Sequence, residues 1–273
     1  MSSLPLQRPI DATQPRILRG SVLFIFLFAA IAGCLSQARP AVAYSGKWAI
    51  SPVTIDLDRK VRSAVVTIYN QGQGAGEFEV KVTEWSQNDR GEDVQSPTKD
   101  IIYFPRFLKI PKNESRIIRL AARTPAVRNE KTYRLIVAEL PDRSEPKATG
   151  VSFQFQFSIP FFVLPPNKVV KGKILNSGVS GGEVRTTVSN EGNMRFRVDS
   201  VTVQGKNLKD EILFEKTITG WYILAGASKV YSVPVPADKC AGLTTADITI
   251  KARNLILKDK VAVDRAACGK VKQ

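Results

Sequence analysis

Val151-Ser152-Phe153-Gln154-Phe155-Gln156-Phe157-Ser158-Ile159-Pro160-Phe161 runs up to the double proline Pro165-Pro166. Every odd position is large and apolar, and every even position through Ser158 is small or polar. Side chains on a strand alternate between faces, so Val151, Phe153, Phe155, Phe157 and Ile159 form one apolar ridge. A half-buried strand inside its own core shows the same alternation. Three features point instead to a partner: the length of the run, three phenylalanines in succession on one face, and the neighbouring proline break. Each exposed phenylalanine costs about 2–3 kcal/mol relative to burial, so a ridge that outruns its own core needs covering.

The same period of two extends in both directions from this segment. Before it come Trp48–Leu57, Ser63–Tyr69, Glu77–Trp85, Ile101–Phe104, Arg116–Ala122 and Thr132–Leu140. With Val151–Val163 they make seven expected strands, separated by turn chemistry such as Gly72-Gln73-Gly74 and Asn88-Asp89-Arg90-Gly91. That number suits an antiparallel sandwich of immunoglobulin type. After the prolines come Val169–Leu175, Glu183–Asn190, Phe196–Val203, Ile212–Thr219, Tyr222–Val235, Asp247–Ala252 and Leu255–Val263. Consecutive prolines cannot donate to a ladder, so the expected boundary lies there. The reading is all-β: an N-terminal immunoglobulin-like domain over 44–164, a semi-rigid hinge at 165–167, and a second β-sandwich domain over 168–273, meeting at a cleft.

Composition narrows the function. The 273 residues include no histidine, which removes the usual general base and the usual non-thiolate zinc ligand. Forty Lys and Arg against 25 Asp and Glu give +15, but the charges are scattered singly and no nucleic-acid-binding pattern accompanies them. No nucleic acid, metal or cofactor is expected, and the phosphate-cradling glycine patterns are absent. Carboxylate pairs such as Asp56/Asp58 and Glu77/Glu79 read as strand-surface groups, so no enzyme is expected.

Residues 1–43 read as an export signal: Arg8, Arg16 and Arg19, the apolar stretch Val22–Gly33, and a cleavage site at Ala41-Val42-Ala43. Its removal takes four Arg and one Asp, lowering the net charge from +15 by three to +12. Ile31-Ala32-Gly33-Cys34 resembles a lipobox and supplies the alternative, acylation at Cys34. The rival function follows from it: a lipid-anchored immunoglobulin-like adhesion module that holds acidic polysaccharide. After cleavage, Cys240 and Cys268 remain as an even pair in an exported chain and are expected to form a disulfide.

The order of signals resembles that of the periplasmic chaperones of the chaperone-usher pathway, which assemble fimbriae, and within it the divergent archaic-type branch. The residues that carry the resemblance are Ile50-Ser51-Pro52-Val53, Val65-Val66-Thr67-Ile68-Tyr69-Asn70, Tyr133-Arg134-Leu135 with Glu139-Leu140-Pro141, Ile159-Pro160-Phe161-Phe162-Val163, and Gly220-Trp221-Tyr222-Ile223-Leu224-Ala225-Gly226. The resemblance implies a boomerang of two immunoglobulin-like domains, no ATP, and donation of an edge strand to a pilus subunit that lacks its last strand. Val151, Phe153, Phe155 and Phe157, with Ile159 on the same ridge, would be the donated residues. An outer-membrane usher is the second implied partner, and the exposed ridge invites a self-capping dimer.

The family pattern also anchors the subunit's terminal carboxylate on an Arg and a Lys. Those positions fall near Thr54 and Pro160 here, so neither charge is present. Arg134 is the substitute candidate, because alternation places it on the face of Ile136 and Ala138, and Arg119 is second. An arginine that often precedes the hinge proline and pairs with a strand glutamate reads Leu164, although Glu139 is present. Whether an interdomain ion pair exists is left open by these residues.

Overall fold

A computed structural model describes residues 48–141 and 153–264. Alternation becomes strand almost throughout. The first sandwich is built from Trp48–Ser51 (β1), Ile55–Leu57 (β2), Ser63–Asn70 (β3), Gly76–Gln87 (β4), Asp93–Pro97 (β5), Ile101–Phe104 (β6), Phe107–Ile110 (β7), Ser115–Ala122 (β8), Lys131–Glu139 (β9) and Gln156–Val163 (β10). One sheet has the order β1-β3-β8-β6; the other has β2-β10-β9-β4-β5, with β7 also on β4. Their inner faces enclose Ile68, Phe78, Val80, Ile118, Leu135, Val137 and Phe161, all almost wholly buried.

The second sandwich comprises Gly172–Ser180 (β11), Glu183–Asn190 (β12), Phe196–Lys206 (β13), Ile212–Thr219 (β14), Tyr222–Ile223 (β15), Ser228–Pro234 (β16), Thr245–Ala252 (β17) and Leu255–Ala262 (β18). Sheets β11-β12-β16 and β14-β13-β17-β18 close over a separate core that includes Val188, Val198, Val201, Val203, Val233 and Ile248. The connection between the sandwiches runs over 164–171 and contains the double proline.

Several strand boundaries differ from expectation. Trp48–Leu57 divides into β1 and β2, which join opposite sheets, because the chain turns at 52–54. Tyr222–Val235 divides into β15 and β16, because Gly226 adopts φ 76 and turns the chain; that left-handed conformation suits glycine. Phe107–Ile110 and Asp93–Pro97 form strands that the pattern did not mark.

The two sandwiches repeat one device. Asn70 ends β3 and Asn190 ends β12, both buried. Each accepts the backbone N–H of the glycine two residues on, Gly72 or Gly192, at 2.9 Å. Each donates its amide to carbonyls of the following turn and a neighbouring strand, Gly74 and Ile110 in one case, Met194 and Ile223 in the other. A buried amide with its bonds made fixes the turn into β4 or β13.

Candidate functional site

β10 serves three surroundings at once. Phe161 and Val163 lie in the core of the first sandwich, and Phe157 packs partly against it. Phe162 and Leu164, on the opposite face, join Trp85 and Leu224 in a cluster between the sandwiches. Toward the start of the ridge the cover runs out: Phe153 is 81% exposed and Phe155 41%. Ile159 departs from the expected ridge of donated residues. It is 3% exposed and sits in its own core opposite Leu135, so its side chain is already committed. Val151 lies outside the described residues.

The backbone of β10 is equally divided. It pairs with β9 from Gln156↔Ala138 to Val163↔Lys131, while on its other side β2 runs parallel and covers only Phe161–Val163. Glu139 N–H donates to the Phe155 carbonyl, and Leu164 N–H donates to the carbonyl of Leu57, the last residue of β2. By antiparallel alternation the odd residues therefore address β9, and the even ones address the far edge. Gln156 and Ser158 consequently present N–H and C=O groups to an edge with no strand among the described residues. Pro160 brings no N–H, which is why proline is tolerated at this edge position. Glu139 closes the lower end: its carboxylate accepts Trp48 Nε1 at 3.2 Å and Phe155 N–H at 3.1 Å.

Arg134 is buried on the outer face of β9, opposite Pro160 in register. Its guanidinium stacks 3.6 Å from the Trp85 ring and lies 5.4 Å from that of Trp221. Asp93 Oδ2 stands 3.5 Å from Arg134 Nη2 and accepts Trp221 Nε1 at 3.0 Å. Burial pulls the Arg134 guanidinium below its usual range, opposed by the charge of Asp93. Arg119 is not brought near it. It projects from the other sheet, exposed between Val65 and Phe104 in register.

An interdomain ion pair is present, but from residues the sequence did not single out. Arg195 donates through its guanidinium and backbone N–H to Glu130 and reaches Asp56 at 2.7 Å, stacking 3.5 Å from the Phe162 ring. Glu130 and Asp56 belong to the first sandwich and Arg195 to the second. Glu139, the glutamate the family pattern suggested, binds Trp48 and Phe155 instead. No local signal marks Arg195, since its partners lie 65 and 139 residues away. The opposite rim of the interface is held by Gln87, which donates to the Tyr222 carbonyl and accepts Leu224 N–H, and by Lys229, which donates to the Gly91 carbonyl. Cys240 lies in a short 3-10 turn, and its expected partner Cys268 lies outside the described residues, as does the leader.

Residues 48–168 match the family described as pili and flagellar-assembly chaperone, PapD N-terminal domain. Among solved structures the chain resembles a chain of the CsuC-CsuE chaperone-tip adhesion subunit pre-assembly complex from archaic chaperone-usher Csu pili of Acinetobacter baumannii. That likeness has 18% identity and a TM-score of 0.53, and covers 80% of this chain and 98% of that one. It also resembles the YadV chaperone, at 14% identity and TM-score 0.53, over 79% and 98%. A chain of the Salmonella enterica SafA pilin complex with the SafB chaperone is similar at 12% identity and TM-score 0.53, over 79% and 97%. At such identities the likeness speaks for the fold. No curated protein sequence matches. The family match thus covers the first sandwich and the start of the connection that follows it.

Proposed function

We propose that this chain is a periplasmic chaperone of the archaic chaperone-usher type, which keeps a pilus subunit folded by lending it the open edge of β10. The observation that carries the reading is the conjunction, on one strand, of exposed Phe153 and Phe155 with the unoccupied edge groups of Gln156 and Ser158. An incomplete sandwich exposes a groove and an unpaired edge, both aggregation hazards. Phe153, Phe155 and Phe157, preceded by Val151, would fill the groove while the backbone supplies register. Binding needs no cofactor and no chemistry. In the free protein a second copy would cover the same rings.

The terminal carboxylate of the subunit would be held by Arg134, a buried cation on β9 in register with Pro160. The usher needs a surface that stays free meanwhile. The outward face of β1-β3-β8-β6 offers exposed Val65, Ile102, Phe104 and Ile117 around Arg119. The outward face of β14-β13-β17 carries Thr202, Gln204, Thr217 and Thr249 instead. Cleavage after Ala43 and a Cys240–Cys268 bridge complete the proposal, and intact mass of the exported protein reads both.

The test is Phe153→Ser with Phe155→Ser, co-expressed with the pilus subunit. Soluble subunit in the periplasm should fall to the level seen without the chaperone, while the variant itself stays folded. Full protection of the subunit by the folded variant would end the reading.

A further inference from the structure

The apolar ridge begins before its strand does. β10 opens at Gln156, yet the uncovered rings, Phe153 and Phe155, stand ahead of it. The core of the first sandwich reaches along the ridge only to Phe157, so packing gives those two rings no fixed place. A strand end without such support frays. What holds Phe155 to β9 is polar.

In an antiparallel ladder the two residues of a hydrogen-bonded pair exchange two backbone bonds. Phe155 and Glu139 stand one step beyond the last ladder pair, Gln156↔Ala138. One of their bonds is the backbone bond, from Glu139 N–H to the Phe155 carbonyl at 2.8 Å. The other uses a side chain: Phe155 N–H donates to Glu139 Oε2 at 3.1 Å. The carboxylate thus stands in for a main-chain carbonyl and carries the pairing one residue further. It is itself held, because its second oxygen, Oε1, accepts Trp48 Nε1 at 3.2 Å. Trp48 belongs to β1 of the opposite sheet, and its ring sits edge-on to Phe78 with centroids 4.6 Å apart. The ring also lies over Gly76, where a Cβ would stand 2.4 Å from it.

We propose that Glu139 is a positioning residue for the lent strand: with Trp48 fixing one oxygen, its carboxylate holds the Phe155 amide in register with β9, so that Phe153 and Phe155 are aligned before a guest arrives. The cost of ordering Phe155 then falls on folding instead of on capture. The consequence for the guest rests on the strand-donation reading above; the clamp on Phe155 does not.

Glu139→Gln keeps the shape but offers a single accepting oxygen and sets an amide NH2 against one of the two donors. In the free protein the Phe155 amide should exchange about tenfold faster, while Phe157, the next amide directed at β9, keeps its protection. Adding Trp48→Phe removes the competing indole donor and lets the glutamine oxygen serve Phe155, so exchange should return to that of Trp48→Phe alone. Affinity for the pilus subunit should fall about tenfold in Glu139→Gln and recover in the double variant. A role confined to sandwich stability would raise exchange at Phe157 too, and the second substitution would not rescue it. Unchanged exchange at Phe155, or unchanged affinity once that exchange has risen, would overturn the proposal. Both results leave strand donation standing, since capture of the subunit by the unaltered protein decides that reading. Should Glu139→Gln not fold, Trp48→Phe alone frees one carboxylate oxygen and should speed Phe155 exchange about threefold; exchange equal to that of the unaltered protein would overturn the proposal.

Discussion

Replacing Arg195 by alanine should be far more costly than removing an ordinary surface cation. Its side chain is 13% exposed and Glu130's is 0%, so the deletion leaves a carboxylate buried with its counter-charge gone. Exposed ion pairs contribute about 0–1 kcal/mol, but removing one partner of a buried pair costs about 3–5 kcal/mol. The lost stack on Phe162 acts in the same direction. A deficit of about 3 kcal/mol is therefore expected, read by urea unfolding followed through tryptophan emission, with Trp85 inside the interdomain cluster as reporter.

The deficit should also depend on pH. Burial pushes the Glu130 carboxyl up, against the lowering pull of Arg195. Without Arg195 it moves further up. A carboxyl raised on folding contributes stability that is present at low pH and lost as pH rises through its folded value. The alanine variant should accordingly recover part of its deficit on acidification from about pH 8 toward about pH 5. Adding Glu130→Gln should recover most of it at every pH. A deficit under about 1 kcal/mol, or one that is flat across that range, would refute the buried-latch account.

Three further outcomes follow from the same packing. Ile159→Ala should lose about 2–5 kcal/mol of stability, whereas Phe153→Ser should change it by less than about 0.5 kcal/mol, as thermal melts can check. Asn190→Ala strands the Met194 and Ile223 carbonyls and the Gly192 N–H, and should cost about 2–3 kcal/mol in urea unfolding, a loss that Asn190→Asp should not fully reverse. Asp100 is held below the usual carboxylate range by hydrogen bonds from Lys131 and Tyr133; its contribution is present above its unfolded value and lost as pH falls through the folded one, so Asp100→Asn should flatten the acid limb of the stability profile.

Strands that alternate cleanly were legible in the sequence, because burying one face of a sheet forces that pattern. Glu183–Asn190, with Val184, Thr186 and Val188 buried on one face, coincides with β12. Asp93–Pro97 was not legible: all its residues are exposed, so no core constraint shaped their order. The Asn-x-Gly repeat at Asn70 and Asn190 was open to reading, since it stands before an apolar run in both halves. The ridge was visible as a whole, but its division was not. Alternation says which residues share a face; it does not say that Ile159 meets its own core while Phe153 outruns it. Arg134 announced itself as a charge among apolar neighbours, yet its stack with Trp85 and Trp221 depends on two strands and a second sandwich. Arg195 had no such marker, because an ion pair over 139 residues leaves no trace in local spacing.

Amide hydrogen exchange along β10, with and without a bound pilus subunit, tests strand donation most directly. Gln156 and Ser158 should exchange freely in the unoccupied monomer and become protected in the complex, while Phe162 and Leu164 stay protected in both. Unchanged exchange at Gln156 and Ser158 in a complex of full occupancy would contradict the account.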